Sequence, residues 1–183
     1  VIDAIRQLSE ANAAMRIPLT AAYAASAVPL YLMRGDYRGL LDITGPFVAQ
    51  LENAGMSFAL SVMYYSVGRA HHGLGDRANA AEFYRRSLQA GVDSGAEMWM
   101  AANLAELALI AYGEASPVRA VERISMAYAH GKLPHWIRLR VEDLLEKLRT
   151  RLPAEEFAAA RARGEALNLL TTSRDVLQEP AAN

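Results

Sequence analysis

The stretch that most restricts how this chain folds is Tyr64-x2-Val67-Gly68-x2-His71, followed by Leu74-Gly75-Asp76 and then Ala80-x3-Tyr84-x3-Leu88. Spacings of three and four residues put Leu60, Tyr64, Val67, His71 and Leu74 on one stripe of a helix starting at Ser57, and Ala81, Tyr84 and Leu88 on one stripe of the next. Gly68 removes the side chain where the second helix crosses the first, while Tyr64, Ala80 and Tyr84 supply the bulk and the gap around that crossing. Two antiparallel helices interlock closely only with such an alternation of sizes. Between them, Gly75 tolerates the left-handed conformation that closes a helix, and Asp76 accepts from the free N–H groups that open the next.

The same device recurs at Gly35-Asp36, 40 residues before Gly75, and at Gly113-Glu114, 38 residues after it. Helix pairs are therefore predicted over 20–53, 57–91 and 96–130. In the third, Ala102, Ala105, Leu109 and Tyr112 face Val121, Ile124 and Tyr128, and Pro117 falls in the first turn of the trailing helix, where its missing N–H has no intrahelical partner. The first pair, Thr20–Arg34 and Tyr37–Asn53, contains Pro29 and Gly45-Pro46, at which kinks or breaks are expected. Ile2 to Met15 reads as the trailing helix of a truncated repeat over 1–16. Beyond the third pair, capping helices fill 134–178: Pro134 opens one with the stripe Ile137, Val141, Leu144, Leu145 and Leu148, Leu152-Pro153-Ala154-Glu155-Glu156 starts another, and Thr171-Thr172-Ser173 is expected to cap a last one, ahead of a frayed 179–183. No alternating strand pattern of useful length is present.

The pattern around Tyr64 to Leu88 resembles the tetratricopeptide repeat, with Tyr64 where that family usually has Trp, His71 where it usually has Tyr, and Val92 where a closing Pro is common. The recurrence here is about 4 to 6 residues longer than the 34-residue unit of that family. The resemblance covers roughly 20–130 and implies an all-α, right-handed superhelical solenoid of antiparallel helix pairs that acts as a recognition surface. The run Pro153 to Leu167 is similar to the tail of bacterial multidomain regulators, in which a signal-transduction ATPase module, often with a DNA-binding or nucleotide-cyclase domain, is followed by such repeats. The last helix, from Asn168 to Leu177, departs from the acidic, Ala-rich end of those tails. That the chain begins at Val1 carries the expectation of a piece of a larger protein.

Composition sets outer bounds. With 183 residues, 52% of them hydrophobic, there is material for a single elongated core. A net charge of −1 gives no global attraction for nucleic acid or an anionic membrane. The lack of Cys rules out disulfides, thiol nucleophiles and Cys-based zinc sites. No signal peptide and no uninterrupted apolar run of about 18 residues is found, so a cytoplasmic chain is expected.

No catalytic residue, metal site or cofactor is assigned. His71-His72 are adjacent, and neighbours on a helix point about 100° apart, so both cannot hold one metal. His130 and His135 flank a connection between helices and suit its dipoles, as Glu155-Glu156 suit a helix start. Gly73-Leu74-Gly75 lacks the Lys and Ser or Thr of a phosphate loop. Lys132, Arg138, Arg140, Lys147, Arg149 and Arg151 form a basic cluster, but Glu142, Asp143 and Glu146 are interleaved with it, which reads as a solvated helix face.

The binding candidates lie on the leading helices, which line the concave side of stacked repeats. Tyr65, Arg69 and His72 stand at i, i+4 and i+7 in the second pair, and Met100, Asn103 and Leu107 at i, i+3 and i+7 in the third. As a solvated set they would offer contact area and polar grips to a protein or peptide; the competing reading is that they fill the seam between helices. The function expected is a non-enzymatic protein-interaction or regulatory module. Alternatives are a peptide or small-molecule sensor controlling an ATPase or transcriptional output, and a self-association module. Gly68→Leu is expected to overpack the helix crossing and cost about 1–3 kcal/mol in a denaturation experiment; an unchanged melting temperature would contradict the crossing.

Overall fold

Four glycines twenty residues apart set the geometry of the first half of the chain. Gly35, Gly55, Gly75 and Gly95 have φ of +67°, +64°, +82° and +67°, in the left-handed region where a Cβ is disfavoured. After each, the next residue donates its N–H to the carbonyl five positions back: Asp36 to Tyr31 at 3.0 Å, Met56 to Leu51 at 3.1 Å, Asp76 to His71 at 2.9 Å and Ala96 to Gly91 at 2.9 Å. These are four copies of one helix-closing turn. The Gly-acid pattern singles out the first and third. It passes over Gly55 and Gly95, whose followers are Met56 and Ala96.

The computed structural model describes residues 27–111, 117–130 and 133–179, and among these every regular element is an α-helix. A helix over 27–34 (α1) precedes α2 (Tyr37–Asn53), α3 (Ser57–Gly73), α4 (Arg77–Ser94), α5 (Glu97–Ala111), α6 (Pro117–Ala129), α7 (His135–Arg149), α8 (Ala154–Glu165) and α9 (Leu169–Gln178). The expected helix over 2–15, the start at Thr20, Tyr112, the Gly113-Glu114 turn and the end over 180–183 lie outside the described residues. No described helix is long and apolar enough to cross a membrane.

Two of the expected caps form as read. Asp36 accepts from the Gly39 N–H at 3.0 Å and Asp76 from the Asn79 N–H at 3.2 Å. The Asn79 side chain donates to Asp76 as well, and these donors hold the Asp76 carboxyl below its usual range. The cap of α9 is a correction: Asn168 accepts from the Thr171 N–H at 3.0 Å, and Thr171 to Ser173 lie inside the helix, with Ser173 buried. A second correction concerns Gly45-Pro46, where α2 runs unbroken from Tyr37 to Asn53. A residue before Pro is normally kept out of the helical region by a clash that involves its Cβ. Gly45 has none, so the helix continues. The helix over 27–34 also passes through Pro29, although Val28 before it carries a Cβ.

Consecutive helices from α2 to α6 pack on one another, and α5 ends up enclosed, with α3, α4, α6, α7 and α9 all against it. Its sequence anticipates this, since Met98 to Ala111 is apolar all round except for Asn103 and Glu106. Met100, Ala101, Ala102, Leu104, Ala105 and Ala108 are buried. The last helices wrap this core: α8 lies on α6, and α9 returns to α4 and α5 with Leu169 and Val176 buried. Arg85 from α4 donates to the Leu177 carbonyl at 3.1 Å, and Arg123 from α6 pairs with Glu179.

Small residues set how closely the helices approach. A Cβ on Gly68 would lie 2.7 Å from the Tyr84 ring, so the close partner at this crossing is Tyr84, fully buried, with Ala80 buried beside it on α4. The tightest approach to a neighbouring backbone is elsewhere. A Cβ on Gly164 of α8 would lie 2.3 Å from the Glu122 carbonyl oxygen of α6, a backbone atom that cannot swing aside. Gly164→Ala is therefore expected to destabilise by about 1–3 kcal/mol, outweighing the roughly 1 kcal/mol by which Ala is the better helix former. Urea denaturation checks this; a stabilised variant would contradict the α6–α8 packing.

Candidate functional site

Glu106 is the one acid within the apolar run of α5, and its side chain is 0% exposed. A buried carboxylate needs partners, because its desolvation costs several kcal/mol if it stays charged. Its Oε1 accepts from the Tyr65 hydroxyl at 2.9 Å and from Arg140 Nη1 at 2.8 Å, with Arg69 Nη1 at 3.6 Å. On the other side, His72 Nδ1 stands 3.7 Å from Oε2. Tyr65, Arg69 and His72 come from α3 and Arg140 from α7, so one carboxylate joins three alternate helices of the stack.

The two facing stripes have the same helical spacing. Tyr65, Arg69 and His72 stand at i, i+4 and i+7 on α3, and Trp99, Asn103 and Glu106 repeat those steps on α5. The rings meet at the closed end of this layer, with Tyr65 centred 5.2 Å from Trp99 and 5.6 Å from Tyr84. Asn103 donates to Ser87 Oγ at 2.7 Å, and Ser87 donates to the Ser61 carbonyl at 2.6 Å, a relay from α5 through α4 to α3. Such buried polar links fix the register of helices that apolar packing alone would let slide.

The sequence candidates thus divide. Tyr65, Met100, Asn103 and Leu107 are buried, so the solvated concave set is corrected to a seam for these four. Met100 is turned toward α4, its Cγ against Gly91. Arg69 and His72 remain at the rim, with side chains 17% and 24% exposed, and Arg140 joins them at 30%. Two guanidinium groups against one carboxylate leave the cluster with one net positive charge while His72 is neutral. Glu106, Trp99 and Arg140 were not among the candidates. A lone acid in an otherwise apolar helix is the signal that would have found Glu106, since such a group is buried and must be paired. Arg140 had been placed in a solvated basic face. Its neighbours there behave as that reading expects, Lys147 pairing with Asp143 at 2.6 Å and Arg149 with Glu146 at 3.1 Å.

Titration behaviour follows the burial. Desolvation, and then the Glu106 charge, push the Tyr65 and Tyr84 phenols well above their ordinary value. Desolvation and a hydrogen bond to Glu52 take Tyr64 to about 12. Burial, the largest influence, works against the Arg69 charge, but Glu106 together with Tyr65, Tyr84 and Tyr37 outweighs it and raises its pKa. Six buried polar atoms of this layer have no hydrogen-bond partner within the protein: Arg69 Nε, His72 Nδ1, Tyr84 Oη, Trp99 Nε1, Asn103 Oδ1 and Glu106 Oε2. Among the described residues no three His, Asp or Glu side chains converge as a metal-ligand set.

Comparison with protein-family models, with curated proteins and with solved structures gives no match.

Tyrosines whose folded pKa is raised bind protons that the unfolded chain releases near pH 10. Their contribution is complete below that pH and is lost as the pH climbs above it. The melting temperature is expected to fall steeply from about pH 10 upward, with the tyrosinate absorbance of Tyr64, Tyr65 and Tyr84 appearing only with unfolding. Early, independent ionisation of all tyrosines in the folded protein would contradict the burial described here.

Proposed function

We propose that this chain is a non-enzymatic recognition and regulatory module, a right-handed solenoid of tetratricopeptide type within a larger bacterial signalling protein, whose partner is held at the rim of the Glu106 layer. The observation that carries the reading is the excess positive charge at Arg69 and Arg140, partly exposed beside His72, above an acid that is itself withdrawn from solvent. Charge of this kind selects an acidic segment of a partner protein. Four identical turns at a constant interval support the repeat architecture, and stacked repeats of this sort present such rims along one side. A cytoplasmic setting goes with the reading.

A second reading, sensing of a small polar effector, is favoured by the buried polar atoms of this aromatic-lined layer that lack a close hydrogen bond. A ligand that satisfied them would bias how α3, α5 and α7 sit together.

Fluorescence anisotropy with labelled Asp/Glu-rich and Lys/Arg-rich peptides tests the first reading. The acidic peptide is expected to bind saturably and more weakly as salt rises, with Arg140→Gln reducing affinity about tenfold, the scale of one charge-assisted contact. Equal binding of the basic peptide, or unchanged affinity in a folded Arg140→Gln variant, would overturn it.

A further inference from the structure

A second site lies away from the Glu106 layer, in a cleft of about 280 Å³ between α6, α7 and α8. Ser125, Tyr128, Leu145 and Phe157 contribute to its lining, together with Glu142. Ser125 carries the first clue. It is 3% exposed and its Oγ has no partner. A helical Ser or Thr ordinarily bonds the carbonyl four residues back when buried. Thr44, Ser66 and Ser173 do so, at 2.7 to 2.8 Å, Ser61 bonds Phe58, and Ser87 bonds across to Ser61. Among the buried serines and threonines described, Ser125 alone leaves its hydroxyl unused, and it does so on the wall of a cleft.

Charge is the second clue. Three carboxylates edge the cleft against two guanidinium groups, and two of the acids have their own cation, Glu146 with Arg149 at 3.1 Å and Glu165 with Arg161 at 2.8 Å. Glu142 has none among the described residues: its Oε1 accepts only from the Tyr128 hydroxyl at 3.1 Å. The Tyr128 bond also orients that carboxylate. An unneutralised acid beside two aromatic rings and a Leu is the donor set of a cation site, with the rings offering their negative faces and the apolar wall taking a hydrocarbon stem.

We propose that this cleft binds a small organic cation, an alkylguanidinium or alkylammonium. Its stem lies on Leu145 and Phe157, its charge pairs with Glu142, and one N–H is donated to Ser125 Oγ. The site is independent of the acidic-partner reading, since none of its lining residues belongs to the Glu106 cluster.

Titration of the 183-residue chain with n-butylguanidinium, followed by ¹⁵N–¹H NMR, tests it, with pentanoate as an anion on a stem of similar length. Saturable shifts are expected at Ser125, Tyr128 and Phe157 with the guanidinium and not with pentanoate. Glu142→Gln, an exposed substitution, should weaken binding about tenfold, whereas Glu146→Gln, whose carboxylate is already paired, should change it less than about twofold. No saturable shift, an equal response to pentanoate, or full affinity in Glu142→Gln would overturn the proposal.

Discussion

The carboxylate of Glu106, held without exposure in the most apolar of the described helices, is the constraint on which the rest of the arrangement depends. A charge in that position is tolerated only where donors are fixed around it. Tyr65 and Arg69 on α3 and Arg140 on α7 are those donors. Because they come from the helices on either side of α5, satisfying the carboxylate also sets the relative position of three helices that are not consecutive in sequence. The relay Asn103, Ser87, Ser61 does the corresponding work for α5, α4 and α3. Apolar packing supplies the driving force, and these polar links choose among the registers that apolar packing would accept.

Equal spacing of the left-handed glycines makes that convergence possible. Helices of 17 and 18 residues between turns of one kind place α3 and α5 alongside each other, so that stripes with the same i, i+4, i+7 steps face across the seam. The layer that results is closed by aromatic rings at one end and edged by Arg69, His72 and Arg140 at the other. The proposed recognition of an acidic segment rests on that edge and not on an open groove.

Much of the helical architecture was legible because its signals are local. Gly75 and Asp76 announce a turn and a cap by their own conformational and hydrogen-bonding preferences, and Gly68 marks a crossing that the Tyr84 ring occupies. Gly55 and Gly95 were missed because no acid follows them; the left-handed φ is enough to close a helix without a side-chain cap after it. The break expected at Pro46 ignored that the preceding residue is Gly45. In the candidate site, Tyr65, Arg69 and His72 of α3 all reach the Glu106 carboxylate, though Tyr65 is buried and not solvated as expected. On α5 the choice of Met100, Asn103 and Leu107 was rotated from the stripe that meets it, Trp99, Asn103 and Glu106. Periodicity fixes which residues share a face, and only tertiary packing decides which face turns to a given neighbour. Arg140 could not be found that way at all, since its partner is 34 residues away on another helix.

The central claim is that Glu106 and Arg140 are energetically coupled across α5 and α7. A double-mutant cycle with Glu106→Gln and Arg140→Met, read by equilibrium denaturation at neutral pH, measures that coupling directly. The account predicts that the two effects fail to add by about 1–3 kcal/mol, because Arg140→Met leaves the buried carboxylate with Arg69 at 3.6 Å as its remaining guanidinium, while Glu106→Gln removes the charge that the half-buried Arg140 pairs with. Additivity within about 0.5 kcal/mol would show that the carboxylate does not tie the helices together.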